Sequence, residues 1–354
     1  MSDFTNQSVL VVGGAGFVGS NLVAQLLQHN LRELIIVDNL LSSERSNLPQ
    51  GDARVRFLEG SIADDAVLAQ LPKQLDYVFH LACYHGNQSS MADPIADHDN
   101  NTITSLKLFD HLKNYTGLKK VVYAAAACAV AEKTYGKASA TTEEAPVSLY
   151  HDSPYSISKI IGEFYGNYYF MQHQLPFVKA RFSNVYGPRE ILGAGKWRGT
   201  VHTVWRNVTP TFIWRALNHE ALPLDNGGQT SRDFIFVEDM ARGLMACALR
   251  GVPGEVYNLA TGKETTILEL ATLINELTKN PTKPDLKPAR DWDHSGTRFA
   301  STDKAREQLG FVAEVSIAEG LKRTVAWTKA NATMIERAIA QHEGNMQAIL
   351  KRAS

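Results

Sequence analysis

Residues 9–27 read VLVVGGAGFVGSNLVAQLL, and the rest of the chain is organised around them. Val9 to Val12 form a short, continuous apolar run, the pattern of a strand buried on both faces of a parallel sheet. Gly13, Gly16 and Gly19 follow in the spacing G-x-x-G-x-x-G, and Leu22, Val23, Leu26 and Leu27 then recur at helical intervals. A strand, a glycine turn and a helix in this order make a phosphate cradle. Glycine lets the backbone approach the ligand, and the helix N-terminus offers unpaired N–H groups and a positive dipole end. A second apolar run, Leu34 to Val37, ends in Asp38, 19 positions after Gly19. An acidic residue at that distance, at the tip of the second strand, is where a dinucleotide-binding fold grips the adenosine ribose.

The 354 residues suffice for one large α/β unit or for two lobes around a cleft. A hydrophobic fraction of 44% and a charged fraction of 21% are ordinary for a globular protein. The net charge of −1, with both signs mixed along the chain, points to no nucleic-acid and no membrane partner. Cys83, Cys128 and Cys247 are too widely spaced for a disulfide framework or a zinc site, so no metal is expected. Asp3 and the early first strand leave no room for a secretory signal, and the longest apolar stretch, residues 121–131, is too short to span a bilayer. A cytoplasmic location is therefore expected.

Apolar strands alternate with helical patterns as far as residue 182, which predicts a Rossmann-type doubly wound parallel sheet. Strands are expected at Val55–Leu58, Tyr77–Ala82, Val121–Ala126 and Phe177–Phe182, and helices at Asn100–Tyr115 and Tyr155–His173. Residues 131–152 are polar and read as a long loop. Beyond residue 182 the pattern loosens. Residues 1–182 are expected to form the dinucleotide-binding domain, with the strands Phe234–Val237 and Val256–Leu259 returning to it. Residues 183–354 are expected to form a smaller, loop-rich substrate lobe ending in a long helix from Ile317 to Leu350.

Tyr155-Ser-Ile-Ser-Lys159 carries the second strong signal. Positions i and i+4 share one helix face, so the phenol and the ammonium point into the same space. A phenol is a poor base at neutral pH, and a neighbouring ammonium favours its ionised form.

Taken together, the glycine turn, Asp38, the strand end His80-Leu-Ala82, the Y-x-x-x-K helix and Arg181-Phe-Ser-Asn-Val-Tyr-Gly-Pro188 resemble the extended short-chain dehydrogenase/reductase family, in its nucleotide-sugar epimerase/dehydratase branch. The resemblance runs from about residue 8 to about residue 330, and it is similar to that of epimerases from bacterial surface-polysaccharide loci. It implies an NAD-dependent epimerase acting on a nucleotide-diphosphate sugar at C4 through a 4-keto intermediate, in surface-polysaccharide precursor synthesis, and working as a homodimer. In that family the tyrosine is the general base and the lysine holds the nicotinamide ribose, roles that fall here to Tyr155 and Lys159. Asn184, Arg232 and Arg298 match the residues that contact the nucleotide sugar and clamp its diphosphate, for which guanidinium is the natural partner. Without the family context, Arg232 reads as a surface ion pair with Asp233. Asn101 matches a helix asparagine of structural use. The cofactor site is expected at Gly13, Gly16, Phe17, Val18, Gly19, Asp38, Asn39, Ser61, Ile62, Leu81 and Ala82, with Tyr155 and Lys159. Asp38 would repel a 2′-phosphate and Asn39-Leu40-Leu41 has no arginine to reverse that, so NAD is expected over NADP.

Two departures from the family pattern bear on the chemistry. The usual catalytic Ser or Thr after the fifth strand aligns with Ala127, or with Ala126 under a one-residue shift, in Tyr123-Ala-Ala-Ala-Ala-Cys-Ala-Val130. Neither alanine can hydrogen-bond, so an impaired enzyme, or a catalytically silent NAD-binding sensor, stands beside the epimerase reading. Dehydratases also place an Asp-Glu pair after their Thr, where this chain has Cys128-Ala129, which argues against dehydration. Decarboxylation and 3,5-epimerisation share the keto route. GDP-mannose 3,5-epimerases carry a Cys near Cys128 and a Lys in a W-K-G stretch, which reads Trp197-Arg-Gly199 here. Cys128 is therefore a third candidate catalytic residue, against the commoner role of a buried small hydrophobe.

Overall fold

The computed structural model describes residues 3–127, 136–290 and 296–353. Its largest element is a seven-stranded parallel sheet. The strands are β1 (Ser8–Val12), β2 (Glu33–Asp38), β3 (Val55–Glu59), β4 (Tyr77–His80), β5 (Lys120–Ala126), β6 (Phe177–Phe182) and β7 (Val256–Leu259), in spatial order β7-β6-β5-β4-β1-β2-β3. β1 is central, pairing Val9 with Leu34 on one side and with Tyr77 on the other. Its alternate residues serve two cores: Val9 and Val11 join the cluster on one face, Leu10 and Val12 the cluster on the other. Burial on both faces is why this strand shows an unbroken apolar run. The strand order reverses beside β1, between β2 and β4, and a doubly wound sheet opens its ligand crevice at such a switch point.

Helix α1 (Phe17–Leu26) follows the glycine turn, and helix α2 (Pro154–His173) carries Tyr155 and Lys159. The segment expected as a helix from Asn100 opens earlier, with a π-helical turn at His98–Ile103 that continues as an α-helix over Thr104–Leu112. β4 ends at His80, two residues before the expected end, and Leu81 N donates to the Val12 carbonyl at 2.8 Å.

A third core gathers Tyr186, Phe212, Ile213, Phe234, Phe236, Leu270, Ile274 and Leu321. The helices Val208–Leu217, Ile267–Thr278 and Ile317–Ala330 surround it. Of the two strands expected to return to the main sheet, only Val256–Leu259 does so, as β7 beside β6. Phe234–Phe236 instead pairs in parallel with Asn184–Tyr186. The reason is a division of side chains: Phe234 and Phe236 face this third core, while Ile235 joins the sheet-face core of Val9 and Val11. The expected long C-terminal helix is three helices, Ile317–Ala330, Ala332–Ala340 and Glu343–Ala353, interrupted at Asn331 (φ −115°, ψ 18°) and again at residues 341–342. That break brings Ile335 and Ala338 against Ile191, Leu192 and Ala194. Gln341 and His342 then hold the Gly193 carbonyl at 2.7 and 2.9 Å. Residues 136–152 form the expected loop, linked to the far lobe by a bridge between Thr141 and Ala300. Among the described residues no helix is long and apolar enough to cross a membrane.

Candidate functional site

The glycine turn is shaped by close backbone approach. Gly13 has φ +86°, and a Cβ there would stand 2.6 Å from Ala82 N. A Cβ on Gly19 would stand 2.1 Å from the Gly13 carbonyl oxygen, so only glycine lets α1 descend onto the turn. Gly16 is less crowded: a Cβ there would meet only the Gly13 carbonyl oxygen, tightly, at 3.2 Å. Gly16 is also the N-cap of α1, with no side-chain cap and no acidic residue in the first turn. The first N–H groups of the helix are thus left to an anion, and the cradle fits a dinucleotide pyrophosphate. Asp38, at the tip of β2, accepts from Ala15 N (3.0 Å), Leu40 N (2.9 Å) and Ser43 Oγ (2.8 Å), which ties the strand tip to the turn. Burial pushes its carboxyl above the ordinary range.

Helix α2 is begun by Ser153, whose Oγ accepts from Ser156 N, with Pro154 in the first turn. Tyr155 N donates to Ser90 Oγ at 3.1 Å. One turn along, buried Lys159 donates from Nζ to the Ala124 carbonyl at 2.9 Å and stands 5.8 Å from the Tyr155 ring centre. Asn101 braces the same region, accepting from Tyr84 N (2.7 Å) and donating to Asp97 Oδ1 (2.7 Å) and Ser158 Oγ (3.2 Å). Below it, Ser105 Oγ donates to the Asn101 carbonyl, so His80 Nε2 is the donor to Ser105 Oγ at 3.0 Å. Burial, with the nearby Lys159 charge, holds His80 neutral, its pKa pushed down to about 3.

The matched substrate residues come from the second lobe. Asn184 is exposed at the start of its short strand. Arg232 is buried and donates from Nη1 to the carbonyls of Ser231 (2.7 Å) and Gly296 (2.6 Å), which brings residues 296–300, with Arg298, to the same place. The surface-pair reading of Arg232 does not survive this burial. Asp233 is buried too, and its oxygens accept from Thr261 N and Oγ1 (2.9 and 2.7 Å) and from Gly262 N (2.9 Å).

One cavity of about 720 Å³ joins these groups. Gly13, Gly16, Phe17, Val18, Gly19, Asp38, Asn39, Ser61, Ile62, Leu81 and Ala82 line it, as do Tyr155 and Lys159, and Asn184, Arg232 and Arg298. Ala126 and Ala127 line it as well, so the strand end where the resemblance leads one to expect a hydroxyl offers methyl groups. Cys128 lies outside the described residues. Among the described residues no group of His, Cys, Asp and Glu is placed to hold a metal ion.

Sequence reasoning missed His85, Glu190 and Arg206, which line the cavity from loops. Arg206 donates to the carbonyls of Ser42 (3.1 Å), Ile191 (3.1 Å) and Ala194 (3.0 Å) and so ties the segment after β2 to the 191–194 loop. Glu190 is buried, with its carboxyl pushed up to about 7 by burial against the opposing pull of Asn207 and Arg206. None of the three belongs to a periodic pattern.

Residues 9–260 match the model of the NAD dependent epimerase/dehydratase family. The chain is 57% identical to Bordetella bronchiseptica WbmF, solved in complex with NAD+ and UDP, over 98% of each chain, with a TM-score of 0.88. It is 30% identical over 321 residues to a UDP-glucose 4-epimerase of Mycolicibacterium smegmatis, covering 89% of this chain and 96% of that one. It is equally 30% identical over 327 residues to UDP-glucuronic acid decarboxylase 6 of Arabidopsis thaliana, covering 90% and 87%. The fold, the glycine cradle and the matched sequence agree: this chain belongs to the NAD dependent epimerase/dehydratase family of nucleotide-sugar enzymes.

Proposed function

We propose that the protein is a nucleotide-sugar 4-epimerase using NAD, in the cytoplasmic synthesis of surface-polysaccharide precursors. The observation that supports this reading is the Tyr155–Lys159 pair, sharing one cavity with the glycine turn and with Arg232 and Arg298. NAD, when bound, supplies a reversible acceptor for the hydrogen at the reacting carbon. The chain's own residues do the rest. The glycine turn and the start of α1 hold the dinucleotide pyrophosphate, and Asp38 the adenosine ribose. Arg232 and Arg298 hold the sugar diphosphate, with Asn184 beside them. Tyr155 takes the proton of the sugar 4-hydroxyl and returns it, and the Lys159 charge favours the phenolate. A sugar held by its diphosphate leaves the hexose able to turn over between the two transfers.

Dehydration needs an acid and a base beyond the strand end, and Cys128-Ala129 supplies no carboxylate there. Exposed Ile157, Phe164, Tyr168 and Met171 recur along one side of α2 at helical spacing, which supports a homodimer formed through this helix. Incubation with a panel of nucleotide hexoses, followed by proton NMR, tests the activity. Inversion at C4 with no change in mass is expected. Loss of water or carbon dioxide from the accepted substrate would replace epimerisation by the other family chemistries.

A further inference from the structure

In the family pattern a Ser or Thr hydroxyl polarises the reacting sugar oxygen, and here that strand end presents Ala126 and Ala127 to the cavity. His85 lines the same cavity. Its ring packs edge-on against the Tyr155 ring, with centroids 5.7 Å apart and planes at 72°. No described residue hydrogen-bonds its ring nitrogens, although the wall around it is tightly held. Buried Arg198 donates from Nη1 to the His85 carbonyl at 2.7 Å and lies over the Tyr84 ring at 5.4 Å. Asn101 fixes the Tyr84 backbone from the other side at 2.7 Å. The imidazole is therefore a positioned polar group with unspent hydrogen-bonding capacity, next to the base and in the cavity where the usual donor is missing.

We propose that His85 is a catalytic residue: its ring N–H donates to the oxygen at the reacting carbon of the sugar, in place of the absent hydroxyl. The proposal rests on the keto-route reading above. In the forward half, the hydroxyl proton goes to Tyr155, the carbon-bound hydrogen leaves with its electron pair for the dinucleotide, and the C=O bond forms. In the return half, that hydrogen and its electron pair come back to the opposite face. The oxygen gains charge as they arrive, and Tyr155 gives the proton back. The His85 N–H stabilises this oxygen in both halves and is never itself transferred. The group stays a neutral donor because burial and the charges of Arg198, Arg206 and Lys159 disfavour the imidazolium, whose pKa is pushed down to about 3. A neutral imidazole carries one N–H and polarises a carbonyl without competing for the base's proton.

The test compares His85→Gln with His85→Met, which have similar length but differ in possessing an N–H donor. Bound dinucleotide, read from its absorbance, should stay at the parent level in both. His85→Met should lower kcat by about 10²–10³ with KM within a few-fold, the usual loss on deleting one oxyanion donor. His85→Gln should recover at least tenfold of that, and Ala127→Ser added to His85→Met should recover part of it as well. Equal kcat in the parent and His85→Met would overturn the assignment, as would a loss that neither the glutamine nor the serine relieves. A parent inert on every nucleotide hexose overturns the keto-route reading and His85 with it. A working parent matched by its variants overturns His85 alone.

Discussion

The ammonium of Lys159 stands 5.8 Å from the centre of the Tyr155 ring, one helical turn along α2, and is anchored by its 2.9 Å hydrogen bond to the Ala124 carbonyl. The charge is buried, so water screens its effect on the phenol little. Tyr155→Phe should fold and retain NAD while losing about two to four orders of magnitude in turnover, the usual contribution of a general base. Lys159→Met should weaken cofactor retention as well. Full activity in Tyr155→Phe would assign the base to another group.

NAD should bind more tightly than NADP. The Asp38 carboxylate is fixed by Ala15, Leu40 and Ser43; in its proposed role at the adenosine ribose, a 2′-phosphate would face its charge. Titration of the apoprotein with each dinucleotide, followed by tryptophan fluorescence, should give an affinity for NADP at least about tenfold lower. Tighter NADP binding would remove Asp38 from the ribose site.

Replacing Arg232 or Arg298 by Ala should raise KM with little change in kcat, because ground state and transition state share the diphosphate contact. Arg232 also braces the Gly296 carbonyl, so its loss should further lower thermal stability, whereas Arg298→Ala should not. Equal activity on a free hexose and its nucleotide diphosphate would contradict this placement.

Stability should carry the mark of Glu190. Its folded pKa is raised to about 7 from an ordinary value of 4.5, so between those pH values the unfolded chain sheds a proton that the folded chain keeps. The group's contribution is therefore fully favourable below about pH 4.5 and is lost as pH rises toward 7. Glu190→Gln should match the parent near pH 4.5 and be more stable above pH 7, by up to about 3 kcal/mol. Urea unfolding at pH 5 and pH 8 checks this. A variant less stable than the parent at pH 8 would mean that the ionised carboxylate is needed as the partner of Arg206.

The parts of this molecule legible in the sequence are those set by local periodicity. β1 is buried on both faces and so reads as a solid apolar run, and Tyr155 and Lys159 are tied by helical geometry alone. The partition of Phe234–Phe236 was not legible. Both strands near its position have the same apolar character, and the division of Phe234 and Phe236 from Ile235 exists only once two cores have assembled. The breaks after Ile317 were hidden for a related reason. No glycine or proline marks Asn331, and the bend follows from packing Ile335 and Ala338 onto the 191–194 loop. His85, Glu190 and Arg206 are loop residues, brought to the cavity by topology that no short window of sequence contains.

The central claim is that a 4-hydroxyl is oxidised and re-reduced within one site. A nucleotide hexose deuterated at C4, turned over in ordinary water and examined by NMR, tests it directly. The account predicts a C4 epimer that retains its deuterium, because the hydrogen leaves and returns without meeting solvent. Loss of the C4 label, or inversion at C3 or C5 with solvent hydrogen incorporated there, would contradict it.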